Sequence, residues 1–508
     1  MRAKRAVFNS VAMFIYIIVF ITSGLILPRL ILSRFGSDYN GVIATITQFI
    51  GYILLLAAGA AGATRAALYK PLVENNIIKI SGIIRATEGF FRKVALMFAI
   101  MLVVLAILYP FLVIDNFNWF FLFSLTLVLG ISTFVSYFFG VTYQTLLMAD
   151  QRAYVNTIIR TGAVILNVTI AASLILVGVE IRLVMLGSAV ALAVHPLIIY
   201  FYARKYYRLE RSVPADNSAI SQRWDAFVHQ LADFIQLNAG IIIVTVFLGI
   251  MEASVFAVYI FIIRTVRFIV ISISGVGVEA PFGDMLAKGE HKGLQDGVRI
   301  NEFLINSAST LLLTCTALLI VPFVTIYTEG VYDADYFQPL FAFVACVAEF
   351  FRIAHVPSQS LVNAAGHYRQ TKFGAIAEMV INIVLSVVFV QFLGLTGVAL
   401  GLLCALMFRT LQLSIYASRH ILKRSIWVSL RKILLSIITA CVTIVLASLL
   451  PQMTQVTYLS WMLSALPVFG VAVGVSGFVA VLFYREELKI LFRIILKILP
   501  SNPKHKLE

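Results

Sequence analysis

VALMFAIMLVVLAILYPFLVI, residues 94–114, runs 21 residues without a charged side chain. A helix rises about 1.5 Å per residue, so this stretch alone covers about 30 Å, the thickness of a bilayer's hydrocarbon core. Working outward, thirteen further stretches of the same kind fill nearly the whole 508-residue chain. They lie at about 10–33, 42–68, 119–141, 153–178, 183–203 and 226–248, then at 255–278, 303–327, 338–361, 371–393, 397–417, 428–450 and 461–484. The pattern predicts an all-α polytopic membrane protein with about 14 transmembrane helices.

Composition agrees: 61% of residues are hydrophobic, 12% are charged, and the mean hydropathy is +0.97. A water-soluble fold is excluded. The formal charge of +15 would suit nucleic acid, but its distribution does not. With the N-terminus in the cytoplasm, 30 of the 39 Lys and Arg fall in cytoplasmic segments, three (Arg29, Arg34, Arg182) fall outside, and six lie within spans. That asymmetry orients a multi-pass chain with both termini cytoplasmic, and no nucleic-acid partner is expected. The first apolar run is too long for a cleaved signal and lacks a small-residue cleavage site, so it reads as a retained helix. Cys315, Cys346, Cys404 and Cys441 stand singly in apolar runs, which predicts core packing.

The charged, turn-rich break Ala203–Asp225 separates spans 1–6 from the rest and divides the chain into lobes at 1–210 and 226–424. Residues 425–508 add spans 13 and 14 and a cytoplasmic amphipathic tail that suits an anionic lipid surface. A shift of 215 residues brings Gln144, Leu146, Ala149 and Asn167 onto Gln359, Leu361, Ala364 and Asn382. Six spans per copy make the two lobes parallel repeats with a cavity between them.

Charge at mid-bilayer is costly, about 2.5–3.5 kcal/mol on insertion scales, so charged residues within spans mark function or internal pairing. Arg264 and Arg267 lie three apart on one face of span 8, and Glu349, Arg352 and His355 form a stripe in span 10. Glu349 either neutralises Arg352 or serves transport. Arg409 in span 12 joins the candidate anion binders, with Arg65 and Arg160, for which snorkelling to the surface is an equal reading. Asp233, Glu378, Glu349 and His229 are the candidate ion-coupling residues, with Na⁺ or H⁺ as the coupling ion and no cofactor expected. His195, before Pro196, reads as a packing histidine. An excess of Arg over acid suits an anionic cargo. No Gly-rich phosphate loop occurs, so ATP hydrolysis is not expected.

The runs Arg34-Phe-Gly-Ser-Asp-Tyr-Asn-Gly41, Ala280-Pro-Phe-Gly-Asp-Met-Leu-Ala-Lys-Gly-Glu290, Leu361-Val-Asn-Ala-Ala-Gly-His367, Glu378-Met-Val-Ile-Asn382 and Phe408-Arg-Thr410 resemble the Wzx-type oligosaccharide flippases of polysaccharide biosynthesis. The resemblance implies the multidrug/oligosaccharidyl-lipid/polysaccharide (MOP) exporter fold: two six-helix lobes and two added helices working by alternating access. It also implies a cargo of oligosaccharide on undecaprenyl pyrophosphate, a place in the bacterial cytoplasmic membrane, and polysaccharide polymerase machinery as a downstream partner. One departure is Asn238-Ala239-Gly240, where relatives often carry Asn-Thr-Asp. Three rivals remain: a lipid II flippase, a cation-driven drug exporter, and a membrane glycan polymerase or glycosyltransferase. The last would need an acidic outer loop, for which Glu329, Asp333 and Asp335 are the available carboxylates.

Overall fold

The computed structural model describes residues 2–498 apart from 54–59, 114–116, 208, 211–212, 217–222, 275–277 and 452–456. The side chains of 2–7, 10, 63, 66, 223–233, 273, 274, 280 and 492–498 lie outside the description. Helices α1 (Arg2–Phe35), α2 (Ser37–Ile53), α3 (Ala60–Val73), α4 (Ile77–Leu112) and α5 (Trp119–Val135) are followed by a π-helical turn, Ser136–Gly140. Next come α6 (Val141–Ala149), α7 (Ala153–Val177), α8 (Ile181–Tyr207), α9 (Arg223–Leu248), α10 (Ile250–Ser274) and α11 (Glu279–Lys288). The chain ends with α12 (His291–Tyr327), α13 (Pro339–Ala354), α14 (Val356–Ala364), α15 (Tyr368–Tyr416), α16 (Trp427–Ser448), α17 (Tyr458–Phe483) and α18 (Arg485–Ile498). No strand occurs among the described residues. A helix satisfies its backbone polar groups within one segment, which lets runs this apolar cross lipid without water.

Among the described residues, eleven helical stretches are long and apolar enough to cross a bilayer. One of them, Tyr368–Ile421, is 54 residues long and contains Gly394 at φ 54° and ψ −133°, a conformation open only to glycine. The chain doubles back there, so the spans expected at 371–393 and 397–417 form a hairpin. Ser386 Oγ donates to the Val398 carbonyl across it at 3.2 Å. A Cβ on Gly401 would lie 2.4 Å from the Ser386 nitrogen, so the two arms meet backbone to backbone, as small residues permit in membranes. Elsewhere the starts are set locally: Asn76 accepts from Lys79 N at the head of α4, and Asn118 from Phe120 N at the head of α5. The span expected at 42–68 appears as α2 and α3 on either side of 54–59.

The helices form two compact units, Met1–Ala257 with Gly330–Ala334, and Val258–Glu329 with Asp335–Glu508. In unit 1, α1 packs on α7, α7 on α8, and α5 between α4 and α8. One apolar core gathers Val42, Ile46, Phe98, Tyr109, Leu125 and Val184, and a second, toward the other end, gathers Leu68, Ile84, Tyr143, Leu146 and Ile199. Helix α9, read from sequence as opening the second lobe, packs on α2 and α3 within this unit. Polar links fasten the region: Asn40 Nδ2 donates to Ser254 Oγ at 2.8 Å, and Thr45 and Thr245 share a hydrogen bond of 2.9 Å. Interhelical bonds of this kind contribute about 0.6–2 kcal/mol each in a bilayer. In unit 2 the long α12 contacts α13, α16, α17 and α18, while α13 lies along α15.

Cys315 and Cys346 are buried as expected, but Cys441 is exposed on α16. An apolar thiol facing lipid costs nothing, so an apolar run does not separate core-facing from lipid-facing positions.

Candidate functional site

Two carboxylates within the apolar helices of unit 2, Glu349 and Glu378, each gather arginines predicted from the sequence. Helix α10 carries Arg264 and Arg267, and α13 carries Glu349 and Arg352. Arg267 Nη1 donates to Glu349 Oε1 at 2.6 Å, while Arg352 Nε lies 3.4 Å from Glu349 Oε2. The two guanidiniums therefore share one carboxylate, one partner from the same helix face and the other 82 positions away in sequence. Glu349 and Arg352 are both buried, at 7% and 10% side-chain exposure, and Arg267 at 18% is the most open of the three. Arg264, one turn before Arg267, is partly buried.

Arg409 stands differently. It is 3% exposed, and its guanidinium is engaged on all three nitrogens. Nε pairs with Glu378 Oε2 at 3.3 Å, Nη1 donates to Gln412 Oε1 at 2.9 Å and to the Thr371 carbonyl at 3.3 Å, and Nη2 donates to Gln359 Oε1 at 3.0 Å. Gln359 then donates to Asn363 Oδ1 at 2.8 Å, and Asn363 donates to Glu279 at 2.9 Å, so a line of polar contacts runs from the hairpin to α11. Arg409 and Glu378, expected as an anion binder and a coupling acid respectively, are each other's partner inside α15. A guanidinium so enclosed has little freedom to meet a cargo.

The remaining sequence candidates lie in unit 1. Arg160 is exposed with its guanidinium 5.0 Å above the Tyr16 ring, and Arg65 on α3 is partly buried with its Nε enclosed. His229 and Asp233 fall on α9 where side chains lie outside the described residues. His195 packs as read, its Nε2 3.1 Å from Asn156 Oδ1. The acidic outer loop is structural: Asp333 accepts from the Ser37 backbone at 2.7 Å and from its hydroxyl at 2.6 Å, capping α2, and Asp335 accepts from Phe337 N at 2.9 Å. Asp333 thus caps a helix, and Asp335 closes a turn ahead of α13.

Sequence reasoning passed over one buried charge cluster altogether. Glu302 on α12 accepts from Arg424, from Ser429 Oγ at 2.9 Å and from Lys432 Nζ at 3.0 Å, and Glu487 on α18 meets Arg299 Nε at 2.7 Å. It fastens the tail helix to α12 and α16. Glu302 immediately precedes an apolar run, a position where charge is ordinarily taken as solvated.

This arrangement of helices is a fold shared with solved membrane flippases and transporters. The chain is similar to a structure of the lipid II flippase MurJ in an inward closed conformation, with a TM-score of 0.70 at 13% identity, covering 95% of this chain and 100% of that one. It is also similar to a multidrug resistance MATE family transporter of the MOP superfamily. The inward-facing form gives a TM-score of 0.62 at 14% identity over 78% and 94% of the two chains, and the outward-facing form 0.62 at 13% over 82% and 95%. No protein-family model matches the chain, and no curated protein does. At these identities the likeness is one of fold.

Proposed function

We propose that the protein is a flippase that carries an oligosaccharide linked to undecaprenyl pyrophosphate from the inner to the outer leaflet of the bacterial cytoplasmic membrane. Two lobes, 1–210 and 226–424, alternate access, and both termini stay in the cytoplasm. The observation that carries the reading is the Arg267–Glu349–Arg352 triad, two guanidiniums on one carboxylate within helices that span the bilayer. The triad itself counts two guanidiniums to one carboxylate. A bare pyrophosphate in hydrocarbon faces a Born cost of roughly tens of kcal/mol, which paired charge-assisted bonds from guanidinium forks offset. Arg264, Arg267 and Arg352 hold the anion. Arg409 and Glu378 brace the hairpin behind them, and Arg65 and Arg160 are peripheral to the cargo. Glu349, shared by Arg267 and Arg352, is the acid assigned to ion coupling because it touches both cargo-binding arginines; Asp233, His229 and the choice of Na⁺ or H⁺ rest on sequence alone. Glycan delivered outside feeds a polymerase. The role is transport, not catalysis.

Liposomes containing purified protein and labelled lipid-linked glycan test this. Wild type should expose the label to an external reagent, and R267M/E349M/R352M, which removes the arginines together with their buried acid, should abolish exposure while retaining a wild-type elution profile; exposure at the wild-type rate sinks the site. A second reading, transport of lipid II, is favoured by the TM-score of 0.70 to the lipid II flippase. Rescue of cells depleted of that flippase separates the two. A drug exporter for lipophilic cations is disfavoured by the arginine surplus.

A further inference from the structure

Unit 1 contains a second cluster of two guanidiniums on one carboxylate, at a different depth. Glu88 Oε1 accepts from Arg92 Nη2 at 2.6 Å, one helical turn along α4, and lies 3.6 Å from Arg204 Nη2 near the end of α8. Both arginines are backed by aromatic rings. The Arg92 guanidinium sits 5.2 Å from the centroid of Phe138, in the π-helical turn, and that of Arg204 sits 4.5 Å from the centroid of Tyr200. Arg204 Nε also donates to the buried Tyr143 hydroxyl at 3.1 Å. The fork is thus held at its Nε edge and by ring stacking while one Nη is shared with the acid.

Depth follows from the sequence. Residues 94–112 of α4 are uncharged, a run of 19, and residues 183–203 of α8 hold no charged side chain apart from His195. Arg92 and Arg204 therefore flank two apolar runs of about 30 Å on the same side, at the level where lipid headgroups carry their phosphates. The side chains are open enough to be reached: Arg92 keeps 41% of its surface and Arg204 26%, against 14% for Glu88. Arg92 Nε is enclosed with no acceptor among the described residues. The carboxylate holds the two cations in place without cancelling them, so one positive charge is left over and less ordering is needed when an anion arrives. Interrupted helices of the π type recur at functional sites, and this one supplies the ring beneath Arg92.

We propose that Arg92 and Arg204 form a phosphoryl-anion site at the membrane boundary of unit 1, separate from the triad of unit 2. Its ligand chemistry is a phosphate or pyrophosphate oxygen cluster, borne by a lipid headgroup or free in water. The proposal does not depend on transport.

The test uses full-length protein in phosphatidylcholine nanodiscs. One arm titrates inorganic pyrophosphate calorimetrically. The other measures, by native mass spectrometry, retention of phosphatidylglycerol and of undecaprenyl phosphate. R92Q/R204Q should weaken binding at least tenfold in whichever arm shows it, and R267M/E349M/R352M should leave that site at wild-type affinity. R204K, which keeps the charge but loses the fork, should weaken binding with an unchanged thermal midpoint, and Y143F should do so by a smaller factor. Binding in the first arm alone identifies a free anion; retention in the second identifies a lipid phosphate. Wild-type affinity in R204K and R92Q/R204Q, or no binding by wild type in either arm, overturns the site. Loss of pyrophosphate binding in R92Q/R204Q alongside a wild type that moves no lipid-linked glycan keeps this site and removes the flippase reading.

Discussion

The triads Arg267–Glu349–Arg352 and Arg92–Glu88–Arg204 have the same composition and opposite settings. In unit 2 the acid is buried and the cluster lies on α10 and α13, with Arg267 seven residues, about 10 Å of helix, from Ser274 at the end of α10. In unit 1 the cluster lies at the edge of its apolar runs, with Arg92 keeping 41% of its side-chain surface exposed. The charge count is equal and the dielectric is not. Attraction between unit charges grows several-fold as the effective dielectric falls from that of water to that of a protein interior, and so does the cost of leaving one charge alone. The unit 2 triad should therefore tolerate no loss of a member, while the unit 1 triad should lose members cheaply and act chiefly through its leftover charge.

The sharpest way to break that contrast is to delete the shared acid. E349A strands two guanidiniums within the bundle and should cost about 3–5 kcal/mol, read as a lowered unfolding midpoint in a denaturing-detergent titration. Replacing the whole triad, R267M/E349M/R352M, should recover most of that stability, because well-packed apolar side chains of similar volume often equal a buried ion cluster. Transport should stay lost in the triple variant. Recovery of transport would show that the cluster is scaffolding and that the anion passes elsewhere.

How far the sequence could be read follows from the same residues. Helix positions were legible because bilayer thickness sets a length that apolar runs must meet. The weak 215-residue repeat was also legible: the structure makes Val141–Ala149 and Val356–Ala364 nine-residue helices at that offset, one after a π-helical turn and the other after the break at His355. Glu349 with Arg352 could be read from a spacing of three. Arg267 with Glu349 could not, since nothing local relates α10 to α13. Glu378 and Arg409 illustrate the intermediate case. They pair because the hairpin turns at Gly394, close to their midpoint, and the register of two adjacent apolar spans is invisible until that turn is known.

A second prediction sharpens the contrast within unit 2. Gln359 accepts from Arg409 and donates to Asn363, so Q359L leaves one buried N–H without an acceptor and breaks the line toward Glu279. The expected loss is about 1–3 kcal/mol in the same detergent titration. Q359E restores an acceptor for Arg409 while losing the donor to Asn363, and should fall between the two. An effect of Q359L no larger than experimental scatter would mean that Arg409 is held by Glu378, Gln412 and Thr371 without help from Gln359.

The smallest effect belongs to the boundary triad and is the most diagnostic. Glu88 and Arg92 are an i,i+4 pair with a solvated partner, so a double-mutant cycle with E88A and R92A should give a coupling of only about 0.2–1 kcal/mol after screening. Raising the salt from 0.1 M to 1 M shortens the screening length from about 10 Å to 3 Å and should remove most of that coupling, whereas the coupling of Glu349 with Arg267 should persist because ions do not reach it. Salt response thus assigns each triad to its dielectric without reference to any cargo. If both couplings faded together, the unit 2 triad would be open to water, and its ability to hold an anion inside the membrane would have to come from hydration instead of from guanidinium contacts.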